Sequence, residues 1–300
     1  MMKKIILILL ILGITVPATF AQEEEDRPVN AFNSGTLIDA QTTVIPDAKT
    51  LEFVIQHKFG SIDNGKSDLW GIYAPGANVR LALNYVVAKN VQIGAGITKN
   101  NMYSDFNAKW TILQQSTQKM PVSVTLLGNM AIDGRDAATI GLGQVVDTKG
   151  ETTPTSIEIS DRFSYYSQIL VSRKFCEAFS LQAGASFSHF NMVPWDYNHD
   201  VVALHVNGKI KFSPQGSIIF TYDKPLQIDG MNEQTNWDTA AKDNVAIGVE
   251  FFTFTHAFQI YVGSANSILP QHNMLYNQKD FWGGKNGIAF GFTITRLWMF

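Results

Sequence analysis

Three of the six histidines, His189, His199 and His205, fall on one predicted hairpin, and imidazoles gathered on a sheet are where a metal site or a general base would begin. His199 and His205 are separated by the depth of several residues along a strand, and no carboxylate stands at a conventional ligand spacing. The pattern fits interfacial or lumen-facing hydrogen-bonding histidines, and neither a metal nor another cofactor is expected. Ser188 and His189 offer a nucleophile and a base, but adjacent residues of a strand point to opposite faces, which counts against a bilayer-facing lipid hydrolase. Gly184-Ala185-Ser186-Phe187-Ser188 lacks the closing glycine of a nucleophile elbow. Phosphate-loop, complete dinucleotide and zinc-protease motifs are absent, and Asp229-Gly230-Met231-Asn232-Glu233 lacks the alternating acidic spacing of a calcium loop. The single Cys176 can form no internal disulfide. These residues describe a chain that is not an enzyme and has no nucleic-acid partner.

Charge and aromatic surface offer a different chemistry. Glu52, Arg80, Lys109, Lys209, Lys211 and Glu250 share the inward parity of their predicted strands. Facing a narrow lumen they would either cross-link into a salt-bridge network, since a poorly hydrated charge must be paired, or line a pore and select solutes. Trp70, Trp195, Trp237 and Trp282 fall in four different long connections, where exposed rings stack on ligands or pack over one another.

The elements that position these groups follow from a period of two, because successive strand side chains face opposite sides. Leu51, Phe53 and Ile55 alternate with Glu52 and Gln56; Val79, Leu81, Leu83 and Tyr85 alternate with Arg80 and Asn84. Ten further segments repeat the pattern, centred near residues 95, 109, 124, 168, 185, 206, 220, 248, 260 and 291. Their connections alternate between short and long, as expected when periplasmic turns are tight and extracellular loops extended. Gly60–Gly76, Asp133–Ser160, Lys224–Lys242 and Ala265–Lys285 are long, whereas the connection near Asn100 is brief. A soluble β-sandwich is the alternative, but it gives no reason for alternating turn lengths. The expected fold is therefore all-β: an up-and-down transmembrane barrel of about twelve antiparallel strands over residues 50–300, with both termini periplasmic.

Lys3 and Lys4, the apolar run Ile5–Val16 and the small residues at Thr19 and Ala21 read as a cleaved signal peptide over residues 1–21. Losing those two lysines would take the formal net charge from −3 to about −5. Residues 22–49 form a periplasmic-side segment whose stretch from Val29 to Ile45 is apolar enough to fold back into the lumen as a plug. At the other end, Trp298 and Phe300 suit a periplasmic aromatic girdle, and Arg296 can snorkel to the headgroups. Outer-membrane lipid and lipopolysaccharide are the surroundings this composition implies.

The stretch Thr50–Gly60, the following Asp68-Leu69-Trp70-Gly71-Ile72-Tyr73-Ala74-Pro75, Asn78–Leu81, Lys109–Gln115, Ser172–Phe175 and Thr255–Ile260 with Asn266-Ser267 together resemble a β-barrel family of unknown function from Bacteroidetes. That resemblance implies an outer-membrane barrel and assigns no activity. A chain ending on Phe300 also resembles the substrates of the outer-membrane barrel assembly machinery. The function these readings favour is a narrow channel or transport-associated barrel for small solutes. A non-conducting surface barrel whose tryptophan-bearing loops bind a ligand or partner is the alternative, and an outer-membrane lipid hydrolase is the weakest.

Overall fold

The computed structural model describes residues 25–140, 143–146, 152–231, 239–283 and 287–300. The predicted signal peptide and Trp237 lie outside them. Twelve strands form one closed barrel: β1 (Thr50–Ser61), β2 (Asn78–Ala88), β3 (Val91–Thr98), β4 (Ser104–Leu113), β5 (Ser123–Ile132), β6 (Phe163–Lys174), β7 (Phe179–Phe190), β8 (Asp200–Lys211), β9 (Gly216–Leu226), β10 (Asn244–Phe252), β11 (His256–Gly263) and β12 (Ala289–Met299). Each pairs antiparallel with its sequence neighbours, and β12 closes on β1 from Met299↔Thr50 to Gly291↔Lys58. Closure rules out the sandwich and satisfies every strand edge, which a bilayer requires. No helix of the described residues is long and apolar enough to cross a membrane.

The parity expected from sequence is the parity of the barrel. On β2, Leu81, Leu83 and Tyr85 are exposed on the outside while Arg80, Ala82 and Asn84 are buried within. The β2–β3 reversal occupies only Lys89 and Asn90; Asn90 is in the left-handed region at φ 63° and the register shifts between Val86 and Ala88, the pattern of a tight turn that closes on a left-handed bulge residue. Arg27, Phe300 and the tight turns share one end, Thr117 N donating to the Arg27 carbonyl and Phe300 N to that of Lys49; the long loops share the other.

A barrel of about 8 strands is the size whose own side chains fill the interior, so a twelve-stranded one needs a filler. Two segments occupy the interior. Residues 31–44 run inside the wall: Ala31, Phe32, Leu37, Ile38 and Val44 pack on Ile219, Ala246 and Tyr261. From the opposite end the β11–β12 loop inserts a short helix, α1 (Pro270–Tyr276). Its Met274 and Leu275 pack on Leu127, Tyr166, Phe190, Val201 and Ala203.

Candidate functional site

The lumen is the site, and its wall charges fall into distinct clusters. Arg80 of β2 clasps Asp105 of β4 with Nε–Oδ1 at 2.9 Å and Nη2–Oδ2 at 2.6 Å, and its Nη1 donates to Gln56 at 3.1 Å. This bidentate pair spans β3 between its two strands, and β3 passes with Gly96. A Cβ there would sit 2.8 Å from both Arg80 Nη2 and Asp105 Oδ1, so glycine is what lets the pair close. Glu52 accepts from Asn84 at 3.0 Å and from Gln92 at 2.9 Å.

The remaining charges reach the inserted segment. Lys109 donates to the Gly35 carbonyl at 3.2 Å, and a Cβ on Gly35 would stand 3.1 Å from Glu52 Oε1 and 3.4 Å from Lys109 Nζ. The Gly35 main chain thus passes close between that acid and that base, where a Cβ would require the Glu52 carboxylate to give by a few tenths of an ångström. Asn33 bridges another such couple, donating to Glu250 at 2.6 Å and accepting from Lys209 at 3.1 Å. Lys211, also of inward parity, stands half-buried at the tight-turn rim. The expected lumen residues Glu52, Arg80, Lys109, Lys209 and Glu250 are buried inside.

Main-chain groups of the segment that its own short hairpin, Thr36–Leu37 against Ala40–Gln41, leaves unpaired are satisfied by wall side chains. Ile38 donates to Gln259 Oε1 at 2.6 Å, and its carbonyl accepts from Gln56 at 3.2 Å and Thr293 at 2.8 Å. Gln182 donates to the Gln41 carbonyl and accepts from Thr43 N. Deeper toward the loops, Lys58 of β1 pairs with Asp39 at 2.6 Å and also donates to the Ser267 carbonyl at 2.8 Å. Asn273 of α1 donates to the same Asp39 oxygen at 3.2 Å. Wall, segment and loop helix thus meet at one buried carboxylate.

The histidines part company. His189, facing outward, bonds Asp200 at 2.6 Å and lies 6.2 Å from the His199 ring. His205 faces the lumen: its Nδ1 is 2.7 Å from Asp223 Oδ1 and its Nε2 is 2.7 Å from Ser186 Oγ. In the Nδ1-protonated tautomer this is the hydrogen-bond order of a serine hydrolase relay, with Asn244 holding the second Asp223 oxygen at 2.7 Å. The sequence reading weighed Ser188 with His189 and placed His205 among lumen-facing hydrogen-bonding histidines, but did not join it to Ser186 and Asp223, which come from the strands on either side. A signal existed: counting back from the Ser213–Gln215 turn places Asp223 opposite His205. Ser186 lies buried below the α1 contact, and in this state the relay ties β7, β8, β9 and β10 together. No group of three or more metal-ligating residues occurs among the described residues.

At the loop end, Trp70, Trp195 and Trp282 are 50%, 65% and 79% exposed. His272 of α1 is enclosed by Tyr103, Tyr276 and Asn100. Burial, reinforced by the Arg135 charge and opposed by Asp133, pushes its pKa from 6.5 down to about 4, so docked His272 is neutral.

Similar chains are found at the level of family and fold. The NanC porin is 6% identical, with 83% of this chain and 100% of that chain covered and a TM-score of 0.50. An outer membrane channel from Pseudomonas putida F1 is 10% identical over 85% and 97% of the two chains, with a TM-score of 0.49. The KdgM porin is 6% identical over 84% and 99%, with a TM-score of 0.45. At such identities the likeness is one of fold. No curated protein sequence matches the chain. Residues 32–298 match the family described as membrane bound beta barrel domain (DUF5777), and the chain belongs to that family of membrane-bound barrels.

Proposed function

We propose that the chain is an outer-membrane channel for small solutes, drawn here in its closed state, with residues 31–44 as a plug. The observation that carries this reading is the composition of the closure. The wall is lined with Gln, Asn, Thr, Lys, Arg and Glu side chains, and many of them spend their hydrogen bonds on a segment tethered at Thr50 rather than on one another. Such groups exchange a protein partner for water at modest net cost, so a wall of this kind stays wettable once the segment leaves.

Arg27 and Phe300 lie at the tight-turn end, which suits a periplasmic orientation of that end. Phe300, exposed there, suits engagement by the barrel assembly machinery, and the acidic loops suit bridging through divalent cations to lipopolysaccharide. A Bacteroidetes source rests on the sequence resemblance alone. The buried setting of Ser186 supports a non-enzymatic reading. In a variant lacking residues 27–46, changing Lys209 and Lys211 to Glu should shift ion selectivity toward cations in planar-bilayer recordings; unchanged selectivity would mean that ions do not pass along this wall. Exposed Trp70, Trp195 and Trp282 favour a second reading, a surface barrel that binds a ligand or partner through its loops.

A further inference from the structure

Beside α1, at the long-loop mouth, the packing leaves a cavity of about 440 Å³, within the roughly 300–1,000 Å³ typical of small-ligand sites. Side-chain amides dominate its lining: Asn78, Asn100, Asn101, Asn266, Asn273 and Gln278. An amide offers both donors and an acceptor, matching a hydroxyl that does both. Some of this capacity is already used, since Asn78 Oδ1 accepts from Asn100 N at 3.0 Å and Asn273 Nδ2 donates to Asp39. The amide nitrogens of Asn100, Asn101 and Gln278 are engaged within the protein, which leaves their oxygens to accept.

The charge is one-sided. Lys99 and Lys279 line the cavity and no carboxylate does. Lys99 commits one hydrogen bond to the Ala77 carbonyl at 2.9 Å, which leaves an ammonium with further donors. Tyr276 adds an aromatic wall, a surface on which the apolar face of a sugar ring can lie.

We infer that this cavity binds a polyhydroxylated carboxylate of sugar size, a sugar acid, its hydroxyls meeting the amide oxygens of Asn100, Asn101 and Gln278 and its carboxylate meeting Lys99 and Lys279. The inference rests on the reading of the lumen as a solute path and makes this cavity the first station on it. Isothermal titration of the full chain in detergent with D-glucuronate, D-glucose and acetate tests it. Glucuronate should bind at least tenfold more tightly than either of the others. K99Q/K279Q should weaken glucuronate at least tenfold and Q278A several-fold, with thermal melting unchanged. Absent glucuronate binding, equal affinity for glucose, or indifference to these variants would overturn the site. Glucuronate uptake into proteoliposomes bearing the variant without residues 27–46 separates the two readings. Uptake without binding keeps the channel and removes this site; binding without uptake keeps the site and removes the channel.

Discussion

Individual residues show which chemistry this lumen has been given. His272 loses its charge on docking, because its pKa falls from 6.5 in water to about 4 in place. A group whose pKa is lowered by docking supports the docked state fully above its ordinary value and loses that support as pH falls through the lowered one. At about 1.4 kcal/mol per unit, full protonation weakens α1 docking by roughly 3 kcal/mol. Of the groups facing it, Arg135, Tyr103 and Tyr276 have pKa values raised further above that window and keep their charge states through it. Channel openings should therefore become more frequent between pH 6.5 and pH 4, and H272Q should flatten the profile; bilayer recordings across that range check both. The relay makes a separate prediction. S186A removes one hydrogen bond and should cost about 1 kcal/mol, whereas H205A leaves Asp223 buried without its partner and should cost about 3–5 kcal/mol. Heat-dependent gel mobility of the folded barrel measures both. His205 and Asp223 were legible separately as inward-parity residues, but their meeting depends on hairpin register, which no local pattern states. Lys58 went unremarked for a simpler reason: the polar alternation of β1 continues to Ser61, beyond the stretch in which it is conspicuous.

At the scale of elements, strands were easy to read and the inserted segments were not. A strand between lipid and a polar lumen must alternate strictly, so all twelve announce themselves. Residues 31–44 and α1 instead mix apolar and polar side chains, because each turns one side to a charged wall and another to apolar patches. Those patches were themselves readable as defects in the alternation: Leu127, Leu170, Ile219 and Tyr261 are apolar yet of inward parity, and all are buried. Leu127 and Ile219 mark the landing places of α1 and of the segment, respectively. Truncating the knobs that land on them should loosen the closure. M274A/L275A removes buried volume worth about 2–5 kcal/mol per site, and should free the β11–β12 loop to protease while leaving the strands resistant. Asp39 joins the two inserts, so D39N should release both, leaving Lys58 buried without its counter-charge. Limited proteolysis near residues 30–45 and 265–280 would then increase together; cleavage in only one segment would show that they dock independently.

The whole molecule is a barrel too wide to fill itself, closed by two pieces of its own chain. Fold class, strand number and parity were legible because the bilayer imposes one rule on every strand. The state of the lumen was not, since paired wall charges and a selective pore require the same residues on the same face. What separates them is whether the closure is removable. Single-channel recording of the mature protein beside the variant lacking residues 27–46 puts that question most directly. The mature protein should pass little or flickering current and the variant a large steady one; equal current, or silence from a correctly folded variant, would contradict a plugged channel.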